Sequence, residues 1–110
     1  DGKIDWTKPA ESIERSVRAF EEWPGSYTFW QNSAHSLRLE IEEAEASSEV
    51  QQSAQPGLVW QDKSGALLVQ TGEGSLRILR IKVEGKKTLS SKEFLNGYMG
   101  IVGTILDSRF

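Results

Sequence analysis

Gly74-Ser75-Leu76-Arg77-Ile78-Leu79-Arg80-Ile81-Lys82-Val83-Glu84-Gly85-Lys86-Lys87 is the stretch on which the fold turns. Leu76 to Glu84 is the longest strand candidate in the chain. Its apolar residues change phase: Leu76 and Ile78 are even-numbered, Ile81 and Val83 odd. Strand side chains alternate between two faces, so an apolar set cannot change parity and keep one face without an extra residue. The sequence therefore predicts a β-bulge near Leu79-Arg80. Bulges bend and twist a strand, which suits a barrel.

Strands also surround this one. Thr71-Gly72-Glu73-Gly74 is a glycine-bearing turn before it. Ala66 to Val69 pairs back on Leu58-Val59-Trp60 through the turn residues Asp62-Lys63-Ser64-Gly65. Residues 47–55 are polar and unpatterned, and are expected to form a mobile loop closed by Pro56-Gly57. Leu37, Leu39 and Ile41 alternate with Arg38, Glu40 and Glu42, a half-buried strand running toward Ala46. Tyr27-Thr28-Phe29-Trp30 is β-prone and aromatic, with a turn at Gln31-Asn32-Ser33.

The period differs at the two ends. Pro9 suits the first turn of a helix. From Ala10 to Glu22, Ala10, Ile13, Val17 and Phe20 share one helical face, while Glu11/Arg15 and Glu14/Arg18 pair on the other. Pro24 and Gly25 stop it after Trp23. Residues 1–8 read as a linker into it. Downstream, Gly85-Lys86-Lys87 is expected to leave the sheet. Ser90 or Ser91 then caps a short helix through Leu95, stopped by Asn96-Gly97. Ile101 to Leu106 is an apolar last strand or irregular segment. The pattern predicts one mainly β domain over residues 1–110: an OB-like open five-stranded barrel with an N-terminal amphipathic helix and a short C-terminal helix.

Composition narrows the chemistry. The 110 residues contain no cysteine and one histidine, which excludes disulfides, thiolate catalysis and multi-histidine metal sites. The lack of cysteine fits a cytoplasmic origin. No apolar run reaches the length of a membrane span. The chain starts at Asp1 with neither an initiator Met nor a signal pattern, and is expected to be part of a longer protein. The net charge of −3 is unevenly spread. Residues 1–75 carry 6 Lys/Arg and 13 Asp/Glu, whereas residues 76–110 carry 7 and 3.

Residue by residue, catalytic candidates fail. His35 lies in a predicted turn, and the serines beside it in sequence do not make a triad. Glu40, Glu42, Glu43 and Glu45 are the type of ligand a hard cation takes, but they read better as a solvated strand face. Gly72-Glu73-Gly74 lacks the lysine and the following helix of a phosphate loop. The basic cluster is more informative. Arg77, Arg80, Lys82, Lys86, Lys87 and Lys92 fall within sixteen residues, opposed only by Glu84. The predicted bulge gathers several on one face, which fits a phosphate-binding stripe and a solvated strand face equally well. Trp6, Trp23, Trp30 and Trp60 read as packing residues more readily than as base-stacking platforms.

Three strings resemble the C-terminal domain of the methionyl-tRNA formyltransferase family. They are Ile4-Asp5-Trp6 with Ile13-Glu14-Arg15, Arg18-Ala19-Phe20 and Trp23-Pro24-Gly25; Pro56-Gly57; and Thr71-Gly72-Glu73-Gly74 through Gly85-Lys86-Lys87 to Phe94-Leu95-Asn96-Gly97. The resemblance implies a non-catalytic domain following an N-terminal formyltransferase domain, which holds 10-formyltetrahydrofolate and the catalytic residues. No cofactor or metal is then expected in this domain. It also implies initiator tRNA as a partner, with a role for Lys86 and Lys87 by the matching Gly-Lys-Lys string. Arg77, Arg80 and Lys82 join them by charge and periodicity alone. The acidic stretch Glu40 to Glu49 is then expected to face away from RNA. Two alternatives stay open: an accessory domain of a formyl transferase or hydrolase acting on a sugar nucleotide or folate, and a free-standing protein-interaction barrel.

Overall fold

A computed structural model of the chain describes residues 2–19, 25–32 and 35–107. Helix α1 (Ala10–Ala19) precedes strands β1 (Ser26–Asn32), β2 (His35–Ser47), β3 (Val59–Gln61), β4 (Leu67–Gln70), β5 (Ser75–Val83) and β6 (Thr88–Ser90). Helix α2 (Ser91–Tyr98) and a 3₁₀ turn (Met99–Ile101) follow. The fold is mainly β. The strands form one antiparallel open sheet in the order β1-β2-β5-β4-β3, with β6 added to β5. The strand count is thus six, not five. Gly85, at φ +84°, reverses the chain after β5, and Thr88–Ser90 pair back on Lys82–Arg80. Gly85-Lys86-Lys87 is a hairpin turn, not an exit from the sheet. Three residues are too short for alternation to reveal a strand in sequence.

The bulge lies where the parity change predicts. Ala44 pairs with Ile78 and Glu43 with Arg80, so Leu79 has no partner on β2. A second irregularity, at Glu42 between Ile41 and Glu43, offsets it on β2. Leu76, Ile78, Ile81 and Val83 consequently all face the core. The bulge is also where β5 changes neighbours. Before it, Ser75–Ile78 pair with β4; after it, Arg80–Lys82 pair with β6.

The open edges of the sheet are bridged by the C-terminal segment. Val59 N donates to Thr104 O at 2.9 Å, and Leu106 N to Gly57 O at 2.9 Å. Asp107 then exchanges bonds with β1: its N donates to Phe29 O, and Phe29 N donates to Asp107 Oδ1. The apolar tail is therefore an irregular strap from the β3 edge to the β1 edge, and Ile101 and Leu106 are buried beneath it.

Residues 2–8, read as a linker, are built into the domain. Ile4 and Trp6 belong to the core, and Trp6 Nε1 donates to Thr28 Oγ1 at 2.9 Å. Ile4 N bonds Tyr27 O, and Tyr27 N bonds Gly2 O. Gly72 explains how this segment seats: a Cβ there would lie 1.8 Å from Thr7 O. Helix α1 buries Ala10, Ile13 and Val17 as its spacing predicts, and Glu14 holds Arg18. Arg15 reaches Ser12. The predicted continuation through Phe20 to Glu22, the stop at Trp23-Pro24 and the turn at Ser33 lie outside the described residues. At the other end, Ser90 and Glu93 form a reciprocal capping box on α2.

The loop expected to be mobile is tied down. Gln51 N donates to Gln70 Oε1 at 3.0 Å, and Arg77 Nη2 donates to Glu49 Oε1 at 3.3 Å. Both anchor residues point to the outer face of the sheet. Leu68, on that same face, is 0% exposed and lies outside the main core cluster. Its cross-strand neighbours on that face are Trp60 on β3 and Arg77 on β5.

Candidate nucleic-acid interface

The bulge places Arg77, Arg80 and Lys82 together on the outer face of β5, since Leu76, Ile78, Ile81 and Val83 take the inner one. The neighbouring strand decides their electrostatics. Across from β5, β2 presents Glu45 opposite Arg77, Glu43 opposite Arg80 and Glu40 opposite Lys82. Opposite charges in facing positions attract and stabilise the pairing. The acidic stretch from Glu40 to Glu45 therefore shares the face of the basic stripe. Antiparallel pairing of β2 with β5 brings the acidic and basic residues together on one face.

Arg77 is the extreme case. Its guanidinium lies 3.5 Å from Glu45 Oε1, 3.3 Å from Glu49 Oε1 and 3.7 Å from Asp62 Oδ2. Asp62 is fixed independently. Its Oδ1 accepts from Ser64 Oγ at 2.7 Å and from the N–H groups of Ser64 and Ala66 at 2.9 Å. The Ser64 hydroxyl, then the Ala66 amide, hold the Asp62 carboxyl below the usual carboxylate range, with Arg77 adding its charge.

Lys86 and Lys87 stand apart from the paired stripe. Both are exposed on the β5–β6 turn, and Lys92 is exposed on the first turn of α2. Glu93 sits near this corner. Its hydrogen bonds from Ser90, with the nearby charges of Lys87 and Arg80, depress its pKa. The turn is thus the part of the basic cluster without a glutamate in register against it.

Sequence reading missed a further cation. Arg38 lies on the outer face of β2, its guanidinium 3.8 Å from the Tyr27 ring centroid. Tyr27 and Phe29 meet edge to face at 5.7 Å, and Lys3 Nζ lies 5.9 Å from the Phe29 centroid. Nothing in sequence singles out one arginine in an alternating strand; the signal is cross-strand. Of the tryptophans, Trp6 and Trp30 are buried and Trp60 is half-buried, so packing is their role; Trp23 lies outside the described residues. His35 is exposed at the start of β2. Among the described residues no group of His, Asp and Glu gathers as a metal site. Among the described residues no helix is long and apolar enough to cross a membrane.

Comparison with known proteins gives a consistent answer. The family described as "Formyl transferase, C-terminal domain" matches residues 1–99. The chain is 43% identical over 102 residues to a methionyl-tRNA formyltransferase of Treponema denticola, covering 88% of this chain and 30% of that protein. It is 36% identical over 98 residues to one from Magnetococcus marinus, covering 89% and 29%. A Chloroflexus aurantiacus relative of the same description is 39% identical over 98 residues, covering 88% and 30%. The chain thus spans about 30% of the length of these curated relatives. With the family matching along nearly its whole length, this chain belongs to the formyl transferase C-terminal domain family.

Proposed function

We propose that this domain helps a methionyl-tRNA formyltransferase hold its initiator tRNA, and that the β5–β6 turn is its principal contact. The observation carrying this reading is the exposure of Lys86 and Lys87 on a turn outside the β2–β5 register, where only Glu84 in the turn and the nearby Glu93 are shown as acidic neighbours. Phosphate binding needs cations that trade counterions, rather than partner carboxylates, for the nucleic acid. Lys86 and Lys87 meet that requirement best. Arg80 and Lys82 face Glu43 and Glu40, so they contribute less. Arg77, enclosed by three carboxylates, contributes least. Formyl transfer from 10-formyltetrahydrofolate belongs to the remaining part of the longer relatives, and the site of work is a cytoplasmic translation-initiation step. The role of this domain is positional: it orients the RNA, while the reacting atoms lie elsewhere.

A salt-dependent titration of the full-length enzyme with initiator tRNA tests this. In the double variant Lys86→Glu/Lys87→Glu, the log–log salt slope falls by about 0.7 to 0.9 per lost contact, and affinity falls with it. A second reading draws on the register of β2 against β5, which neutralises the sheet face. In it the domain is a structural accessory to an enzyme acting on a sugar nucleotide or folate. An unchanged slope and affinity in the double variant would put that reading first.

A further inference from the structure

We propose that the outer face of β1 and β2 around Arg38 is a second RNA contact, one that takes an unpaired nucleotide instead of duplex phosphate. Its ligand class rests on the tRNA reading above; its location rests on separate geometry. Phe29 and Arg38 are directly opposed across β1 and β2, and Tyr27 faces Glu40 in the next row. Tyr27, Phe29 and Arg38 are each half-buried, so the patch is open to solvent but firmly seated. Arg38 lies over the Tyr27 ring, and its Nε is buried with no hydrogen-bond partner. Its nearest carboxylate oxygen, Glu40 Oε2, is 3.8 Å away. The side chain keeps 24% of its surface exposed, and with Nε buried the Nη end is what a ligand meets.

This arginine rests on a ring, with one acid, Glu40, 3.8 Å from its Nε. A planar guanidinium braced from beneath offers its other face to a base and its edge to a phosphate. Aromatic rings and arginine planes are what unpaired bases stack on; in duplex RNA those base faces are already covered. The patch also adjoins the turn described above. Glu84 N donates to Arg38 O at 3.0 Å, and Glu84 opens the segment carrying Lys86 and Lys87. A strand of RNA leaving the Lys86-Lys87 turn therefore meets Arg38 one strand away.

The test uses the full-length enzyme and two fluorescein-labelled probes: a short RNA of alternating C and A, and a duplex RNA of equal length. Arg38→Lys keeps the charge and removes the plane. It is expected to weaken binding of the unpaired probe about tenfold, with the salt slope unchanged and duplex binding unaffected. Tyr27→Leu keeps Arg38 but removes its brace, and is expected to do the same. Wild-type affinity for the unpaired probe in both variants overturns the proposal. An equal loss on both probes also overturns it, because that is a general charge or folding effect. Lys86→Glu/Lys87→Glu separates the two readings. If that variant loses tRNA while Arg38→Lys loses nothing, only the Arg38 site falls. If Arg38→Lys alone loses the unpaired probe, the role of the turn falls and the Arg38 site stands.

Discussion

Arg77 and Arg38 stand on the outer face of one sheet, two strands that pair with each other, and their surroundings are opposite. Arg77 is enclosed by Glu45, Glu49 and Asp62 and stands opposite the buried Leu68. Arg38 rests on the ring of Tyr27, with one carboxylate at the limit of contact. The first arginine has its donors used within the fold and ties a loop to a sheet. The second has donors to spare. Positive charge counted along a sequence does not distinguish them. What distinguishes them is which residues the neighbouring strands bring opposite.

The contrast is broken most severely at Leu68. If the 47–55 loop and Arg77 enclose a real second core, Leu68→Ala costs about 3 kcal/mol of stability, read by denaturant unfolding, as for any fully buried leucine. A loss under about 1 kcal/mol would mean that the loop does not seal this site. Next in size is Arg77→Met, which keeps the apolar stem and removes the charge. Glu45 and Glu49 are more than half exposed, so the ionic loss is about 1 kcal/mol, with tRNA affinity unchanged. A larger loss in RNA affinity than in stability would move Arg77 to the binding surface.

Arg38→Lys is expected to cost at most about 0.5 to 1 kcal/mol, the size of a partly exposed cation–π contact. If Arg38 contacts RNA as proposed, the two arginines separate cleanly when stability is plotted against affinity. The smallest effect is on acid stability. Asp62 has its folded-state pKa lowered by Ser64, Ala66 and Arg77. A group depressed on folding stabilises above its unfolded pKa and loses that contribution as pH falls through the folded value. Asp62→Asn should therefore flatten the loss of stability below the ordinary carboxylate range and leave neutral-pH tRNA affinity intact. An unaltered acid-unfolding profile would show that the Asp62 network does not contribute.

Several features were legible from residues alone. The parity change from Ile78 to Ile81 announced the bulge, because alternation is a property of a single strand. The spacing of Ala10, Ile13 and Val17 announced the buried side of α1 for the same reason. Ser90 announced its cap, since that motif closes within three residues. The family likeness was legible because it follows from the order of short strings. The role of residues 2–8 was not: Ile4 and Trp6 have no local partner, and their burial depends on β1, many residues away.

The sequence by itself determined the element types, the bulge, the glycine turns and the presence of a basic second half. Each depends on neighbours within a few positions. Only the tertiary structure decided which charges are available. Pairing β2 against β5 sets Glu40, Glu43 and Glu45 against Lys82, Arg80 and Arg77, while pairing β1 against β2 sets aromatic rings beneath Arg38. Local periodicity fixes the face on which a side chain stands; strand register fixes what stands opposite it, and register joins residues that are distant in sequence.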